Sequence, residues 1–330
     1  MSFEDTSVII VTYNHINYIE KCLNSFSNCK GLEIIVFDNK STDGTPDLIE
    51  ANFSSVKLIK SRKNRGYGAG VNLGTEITQR KYIIVLNPDT IIRENAIEEL
   101  LKPLKKDTKI ITTPKVLIYD GSKVNTCGNI EHFTGLAFTR GLGKHPDACN
   151  GHNIINGLSG VCFAMKRENY LEIGGFDEDL FMYMEDVSLS WMSKIGGYKI
   201  LLVPQAIINH DYNLKVGPEK IYHLERGRYI ILRKYFTKKE YLSLLPSFMI
   251  TEILTSTYAL LNGYNGIKYK FKAINEGFGI DILKIKSDKK QLLKSLDYTI
   301  PEDQLTGTII SKGFKKIANW IYKTNYRIVV

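Results

Sequence analysis

Cysteine is scarce and poorly spaced for chemistry. The 330 residues hold five, Cys22, Cys29, Cys127, Cys149 and Cys162. No two form a CxxC pair or a zinc-ligand spacing. They read instead as reduced, mostly buried thiols of a cytoplasmic protein. A signal peptide is also missing: the N-terminus, MSFEDTS, is acidic and leads straight into an apolar run. No internal repeat or low-complexity tract interrupts the chain. With 43% hydrophobic and 24% charged residues the chain is not wholly disordered. Its length allows one large domain with an appendage, or two domains, at roughly 150 residues each.

Charge is not evenly spread. There are 44 Lys and Arg against 35 Asp and Glu, a net +9. Residues 216–330 hold 20 of the cations and 10 of the anions, so the first 215, with 24 and 25, are nearly neutral. A basic C-terminal region favours an anionic partner, membrane lipid or nucleic acid; the bland alternative is a solvated basic face. No recognised nucleic-acid-binding fold or aromatic platform motif is present, so that partner is set aside.

Long apolar runs are few. Tyr241 to Leu261 is one, 21 residues with a single charge, Glu252. That approaches the ~20 residues that span a bilayer, but Pro246, Glu252 and several Ser and Thr weaken a spanning reading. Flanking cations (Lys234, Lys238, Lys239, then Lys268, Lys270, Lys272) suit a helix lying in the membrane interface, with a packed helix and a true span as alternatives.

What is present is an alternation. Ser7 to Thr12, Leu32 to Phe37, Val56 to Lys60 and Tyr82 to Leu86 read as buried strands. Asn17 to Asn28 and Pro46 to Asn52 read as helices, and the glycine-rich Asn64 to Gly74 runs into another. This predicts an α/β domain on a doubly wound, mainly parallel sheet. Farther on, a helix is expected over Ile91–Leu104, strands and loops from about 110 to 165, and a helical turn at Asn169–Ile173. A helix over Asp186–Ile195, a strand at Lys199–Val203 and a basic helix over Lys220–Phe236 follow.

In such sheets ligands bind beyond the carboxyl ends of strands, where Asp38 and Asp89 fall. Asp89 lies in LNPDT (86–90). Mg²⁺ and Mn²⁺ prefer oxygen ligands and often take one or two carboxylates plus substrate phosphates, so Asp89 suits a metal-held diphosphate. FMYMEDVSL (181–189) sets Glu185 and Asp186 at a helix start. One carboxylate there can take a proton from an acceptor hydroxyl while the other raises its pKa. Two acids capping a helix is the plainer reading. Gly66, Gly68 and Gly70 do not follow GxGxxG spacing and do not leave a strand, so NAD is rejected. Glycines here let backbone approach a ligand, and the following helix start favours a diphosphate; packing is the alternative. The turn DNKSTDGT (38–45) has a purely structural alternative as well.

In order, SVIIVTYN (7–14), DNKSTDGT (38–45), NRGYGAGVNLG (64–74), LNPDT (86–90), GGFDEDLFMYMEDVSL (174–189) and NHDY (209–212) resemble family 2 glycosyltransferases. These are inverting enzymes of the GT-A fold. The resemblance is nearest to the rhamnosyltransferase-like branch, whose members often carry NPD in place of DxD. It covers roughly residues 6–212 and implies a GT-A catalytic domain over 1–215, followed by a helical, basic region over 216–330. It gives Asp38 the N3–H of a pyrimidine, with Thr12 and Tyr13 lining the base pocket. Asn14, Asn64, Gly66, Asn72 and Asn87 join the donor site. Asp89 and His210 hold Mn²⁺ or Mg²⁺. Asp186 is the general base, and Glu185 orients the acceptor or backbone.

Three positions depart from the family pattern. Lys40 stands where the turn often has a small residue or Asn, Asn87 where many relatives have a first Asp, and Ser188 where they read EDVDL. The QxxRW motif of processive relatives is missing, so transfer of one or a few sugars is expected. The implied donor is a dTDP-, UDP- or GDP-sugar. The implied acceptor is a glycan or a polyprenyl- or dolichyl-linked hydroxyl, in cell-surface polysaccharide or glycoprotein glycan assembly. Its place is the cytoplasm or the inner face of the cell membrane. Two other classes compete. A sugar nucleotidyltransferase would carry a glycine-rich basic loop after the first strand, where this chain has TYNHINY. A non-catalytic nucleotide-sugar or glycan-binding module is favoured only by Asn87 and Ser188.

Overall fold

The computed structural model describes residues 2–151, 153–211, 217–286, 289–304 and 309–330. Strands and helices alternate from the start: β1 (Thr6–Thr12), α1 (Ile16–Asn24), β2 (Glu33–Asp38), α2 (Thr45–Asn52), β3 (Lys57–Lys60), α3 (Tyr67–Ile77) and β4 (Tyr82–Leu86). Then come β5 (Thr90–Ile92), α4 (Ala96–Lys106), β6 (Ile110–Ile118), β7 (Val124–Thr126), β8 (Asn129–Glu131), β9 (Ala137–Thr139) and β10 (Asn153–Ile155). They are followed by β11 (Cys162–Lys166), α5 (Arg167–Glu172), α6 (Glu185–Ile195) and β12 (Lys199–His210). The rest is helical: α7 (Pro218–Tyr235), α8 (Lys238–Ser243), α9 (Leu245–Leu261), α10 (Gly263–Gly279), α11 (Lys289–Lys294) and α12 (Ile309–Val329).

The sheet runs β10-β12-β6-β11-β4-β1-β2-β3. β4, β1, β2 and β3 are parallel, as are β6 and β12, and antiparallel β11 joins the two groups. This is the expected α/β class with a mostly parallel central sheet. Side chains alternate across a strand, and with both faces covered β1 is buried throughout and apolar from Val8 to Val11. Val8 and Ile10 meet Val36, Ile84 and Leu86 on one face, under α1 and α4. Ile9 and Val11 meet Phe37, Ile83 and Val85 on the other, under α3.

Two compact units result. One comprises Met1–Asn129 and Thr139–Asn213, and the other Ile130–Phe138 and Leu214–Val330. Ile130–Phe138, expected in the first domain, clusters with the second. The expected boundary at 215 and Tyr212 of NHDY lie outside the described residues.

Several elements differ from expectation. α1 stops at Asn24, and turns replace its expected end. Ile91–Leu104 is not one helix. Thr90–Ile92 pairs with β12, and α4 begins only after Asn95, which adopts a left-handed φ of 63°. The strand expected to end at Val203 continues to His210, past an irregularity between Val203 and Ile207. Pro204 sits in that irregularity and can donate no ladder hydrogen bond, which made one strand read as two. The run 241–261 breaks at Leu244, and Pro246 occupies the first turn of a 17-residue α9. Among the described residues no helix is long and apolar enough to cross a membrane. Two of the cations read as flanking that run, Lys234 and Lys270, are buried.

Candidate active site

Strand ends build the site. β4 delivers Asn87, Pro88 and Asp89. The chain turns at once into β5, and Thr90 pairs with His210 in the antiparallel β5–β12 ladder. That pairing brings His210 Nε2 to 3.2 Å from Asp89 Oδ1, although Asp89 Oδ1 makes no aligned hydrogen bond. Nδ1 of His210 lies 2.9 Å from Asn125 Oδ1. An acceptor there assigns the ring proton to Nδ1 and turns Nε2 toward Asp89. Burial opposes the charge on Asp89, but His210 and then His15, in their protonated forms, outweigh it and hold the carboxyl below its usual range. Two ligands about 2.1 Å from one divalent cation, at right angles, stand about 3 Å apart, so this carboxylate and imidazole fit such an ion. Among the described residues no cluster of three or more His, Cys, Asp and Glu forms a complete metal cage. Further ligands would come from bound phosphate or water.

Asp89 and His210 line a cleft of about 390 Å³ together with Asn87, Glu185 and Asp186. The last two open α6. Asp186 Oδ2 accepts from Asn129 Nδ2 at 2.9 Å and from the Gly160 N–H at 3.2 Å, and Oδ1 accepts from the Val187 N–H at 2.9 Å. Glu185 Oε2 is buried with no hydrogen-bond partner. Burial, then the charge of Asp186, pushes the Glu185 carboxyl well up. Burial also raises Asp186, against the pull of its hydrogen bonds. The approach to α6 is strained: Phe181, Tyr183 and Met184 have φ of 61°, 63° and 67°. Such non-glycine residues in left-handed backbone cost of order 1–3 kcal/mol each and cluster at functional sites.

The family model for glycosyl transferase family 2 matches residues 7–174, just over half the chain. The chain belongs to that family. A curated relative is the N-acetylglucosaminyl-diphospho-decaprenol L-rhamnosyltransferase of Mycobacterium tuberculosis, 28% identical over 254 residues, covering 68% of this chain and 83% of the relative. Among solved structures, S. aureus TarS 1–349 matches with a TM-score of 0.56 at 17% identity, over 100% of this chain and 90% of that one. GalNAc-T7, solved with UDP, GalNAc and Mn²⁺, matches with a TM-score of 0.60 at 17% identity, over 82% of this chain but only 54% of that one. At these identities the structures share the fold.

The glycosyltransferase divides its sequence-predicted residues into three groups. Asn87, Asp89, Glu185, Asp186 and His210 meet on the cleft. Thr12, Tyr13, Asn14 and Asp38 gather at the ends of β1 and β2. There buried Asp38 accepts from Thr12 Oγ1 at 3.0 Å and from the Ser41 hydroxyl and N–H. Asn14, itself left-handed at φ 58°, accepts from the Thr42 N–H. Asp43 accepts from the Ile16 and Thr45 N–H groups, bonds that serve the starts of α1 and α2. Tyr13 is exposed.

Asn64, Gly66 and Asn72 form the third group and do not line the cleft. Asn64 accepts from the Gly66 N–H. Asn72 is committed to Phe176 N–H and carbonyl, Glu178 and the Tyr170 hydroxyl. Gly66, at φ +87°, leaves no room for a Cβ, which would sit 2.4 Å from the Phe181 carbonyl oxygen. Gly70 and Gly74 pack on Val11 and Ile9. Gly66, Gly70 and Gly74 thus each have close protein neighbours, as the packing alternative expects. Sequence reasoning missed His15, Asn125 and Asn129 on the cleft. His15 immediately precedes α1, and its imidazole, pushed down by burial, feels Asp89, Asp43 and Asp38. No local pattern marks the two asparagines.

Proposed function

We propose that this glycosyltransferase moves one sugar from a nucleotide diphosphate to a hydroxyl of a lipid-linked glycan, with inversion at the anomeric carbon. The observation that carries this reading is one cleft lined by Asp89 with His210 and by Asp186. Asp38, with one lone-pair position still open beside Thr12 and Ser41, would accept from the N3–H of a uracil or thymine. Asp89 and His210 would hold Mn²⁺ or Mg²⁺, which as a Lewis acid offsets charge on the departing diphosphate. Asp186, whose three hydrogen bonds favour its charged form, takes the proton from the acceptor hydroxyl as its oxygen bonds to the anomeric carbon. The bond to the diphosphate oxygen breaks on the opposite face. Glu185, beside Asp186 at the start of α6, holds a proton and leaves the charge to its neighbour.

The decaprenol in the name of the M. tuberculosis relative supports a polyprenyl-linked acceptor, and the Mn²⁺ in the GalNAc-T7 structure supports a divalent ion. The work would then lie at the cytoplasmic face of a membrane. Residues 1–215 would be the catalytic domain and 216–330 its membrane-side companion.

The test is nucleotide release from UDP-, dTDP- and GDP-sugars with Mn²⁺, Mg²⁺ or EDTA, with and without a polyprenyl-diphosphate glycan. One donor should give metal-dependent release. Asp89→Ala should abolish it, and Asp186→Asn should slow transfer by about 10²–10⁴-fold while calorimetric donor binding persists. Release unchanged by EDTA or by Asp89→Ala would sink the metal assignment. Transfer undiminished in Asp186→Asn would sink the base.

A further inference from the structure

We propose that the outer face of α9 and α12 is a docking surface for an anionic lipid bilayer. The inference deepens the membrane-side reading above by naming the surface. Its test uses neither donor nor acceptor, so failure here leaves the transfer reaction standing.

The two helices pack with their polar groups inward. Asn325 accepts from the Ser247 hydroxyl at 2.6 Å and donates to the Ser243 carbonyl at 2.8 Å. Thr251 and Tyr322 share a hydroxyl–hydroxyl bond at 2.8 Å. Ser247, Thr251, Tyr322 and Asn325 are all buried. What faces out is apolar: Trp320 is 68% exposed, Ile328 78%, Met249 58% and Ile253 50%. Together with Pro246 and Ile321 these residues line an open groove of about 440 Å³. A helix pair meant for water would bury the second set and show the first.

Charge selects the occupant. α12 contains Lys312, Lys315, Lys316, Lys323 and Arg327 and no acid. At 100° per residue Lys312, Lys316, Lys323 and Arg327 fall along one edge of the Ile317–Trp320–Ile328 stripe, and all four are exposed. Lys315 is spent on the carbonyls of Glu302 and Gln304. α9 has a single acid, Glu252, which is held by Arg228 and Lys270. The face is thus apolar with a cationic border and no exposed anion of its own helices. A second copy of this chain would set like charges together. An anionic bilayer would meet the cations with its headgroups and Trp320, Ile328 and Met249 with its interface.

The chain supplies its own reporter. Of its two tryptophans, Trp191 is fully buried and Trp320 exposed. Full-length protein is titrated with phosphatidylcholine vesicles, with and without phosphatidylglycerol. A blue shift of tryptophan emission and co-sedimentation are expected with the anionic vesicles, weakening as salt rises. Trp320→Glu with Ile328→Glu should weaken sedimentation about tenfold or more, as should Lys316→Glu with Lys323→Glu and Arg327→Glu. Circular dichroism checks that these surface variants stay folded. No sedimentation with anionic vesicles, or sedimentation that both variants retain, overturns the proposal. So does a concentration-dependent dimer that Trp320→Glu disperses, which would assign the face to self-association.

Discussion

Asp186 and Glu185 are adjacent in sequence and opposite in circumstance. Asp186 receives three hydrogen bonds, while Glu185 Oε2 is buried without one. Two carboxyls this close, one buried and one half-buried, do not both ionise readily. The proton goes to the group with no donors to replace it, which is Glu185. Asn129 is therefore a positioning residue, since its amide favours the charged form of Asp186. In Asn129→Ala the acidic limb of kcat/KM should move to higher pH, with activity recovering on the alkaline side. A uniform loss at every pH would mean that Asn129 only supports the fold. Glu185 bears on stability with a definite sign. Its folded pKa lies above its unfolded value, so the stability present below the ordinary glutamate pKa declines as pH rises from there toward the folded value. Glu185→Gln should remove that decline. The variant should melt higher than wild type at pH 8.5 but not at pH 5, by about 2–4 °C per kcal/mol relieved.

At the scale of elements, what can be read locally was legible. β1, β2 and β4 announce themselves because burial on both faces demands unbroken apolar β-branched runs. β5 does not. Its three residues gain strand character from β12, more than a hundred positions away, and their periodicity suits a helix equally well. That pairing is also what unites Asp89 with His210, so the proposed metal pair was reachable only through family resemblance. Asn125 and Asn129 owe their places to the β6–β7 pairing and the turn after it, which no spacing rule encodes. The glycines of α3 were visible, but their reason was not, because their neighbours Val11, Ile9 and Phe181 are remote in sequence. Gly66→Ala tests that reason. Its Cβ would strike the Phe181 carbonyl from a left-handed backbone, at a cost of roughly 1–3 kcal/mol. Chemical denaturation should show that loss. Transfer should slow while nucleotide affinity holds, because the loop displaced leads into Asp186. Lost nucleotide affinity with an undisturbed rate would instead favour glycine as a donor-approach site.

Across the whole molecule the basic excess lies beyond residue 215, but the sequence counts charges without locating them. Part of the C-terminal charge is interior. Arg228, 2% exposed, donates to both carboxylate oxygens of Glu225 at 3.0 and 2.7 Å and also reaches Glu252. Lys270 bonds Glu225 and Glu252, and Tyr229 donates to Glu252 at 2.8 Å. α7, α9 and α10 are thus joined through a closed set of two acids and two bases, in which every charge depends on the others. Burial opposes ionisation of Glu225, but Arg228 and then Lys270 prevail and depress its carboxyl to about 2. Its stabilisation is therefore present above the ordinary glutamate value and lost as pH falls from there toward about 2. Removing one member strands the rest: Glu225→Gln should cost about 3–5 kcal/mol in guanidinium unfolding at neutral pH. Replacing the whole set together (Glu225→Leu, Arg228→Met, Glu252→Leu, Lys270→Met) should cost much less, because no charge is left buried and unpaired. If the single variant loses under about 1 kcal/mol, water reaches the network and it is an ordinary surface cluster. If the fourfold variant loses as much as the single one, the charges themselves, and not merely their mutual satisfaction, hold the three helices together.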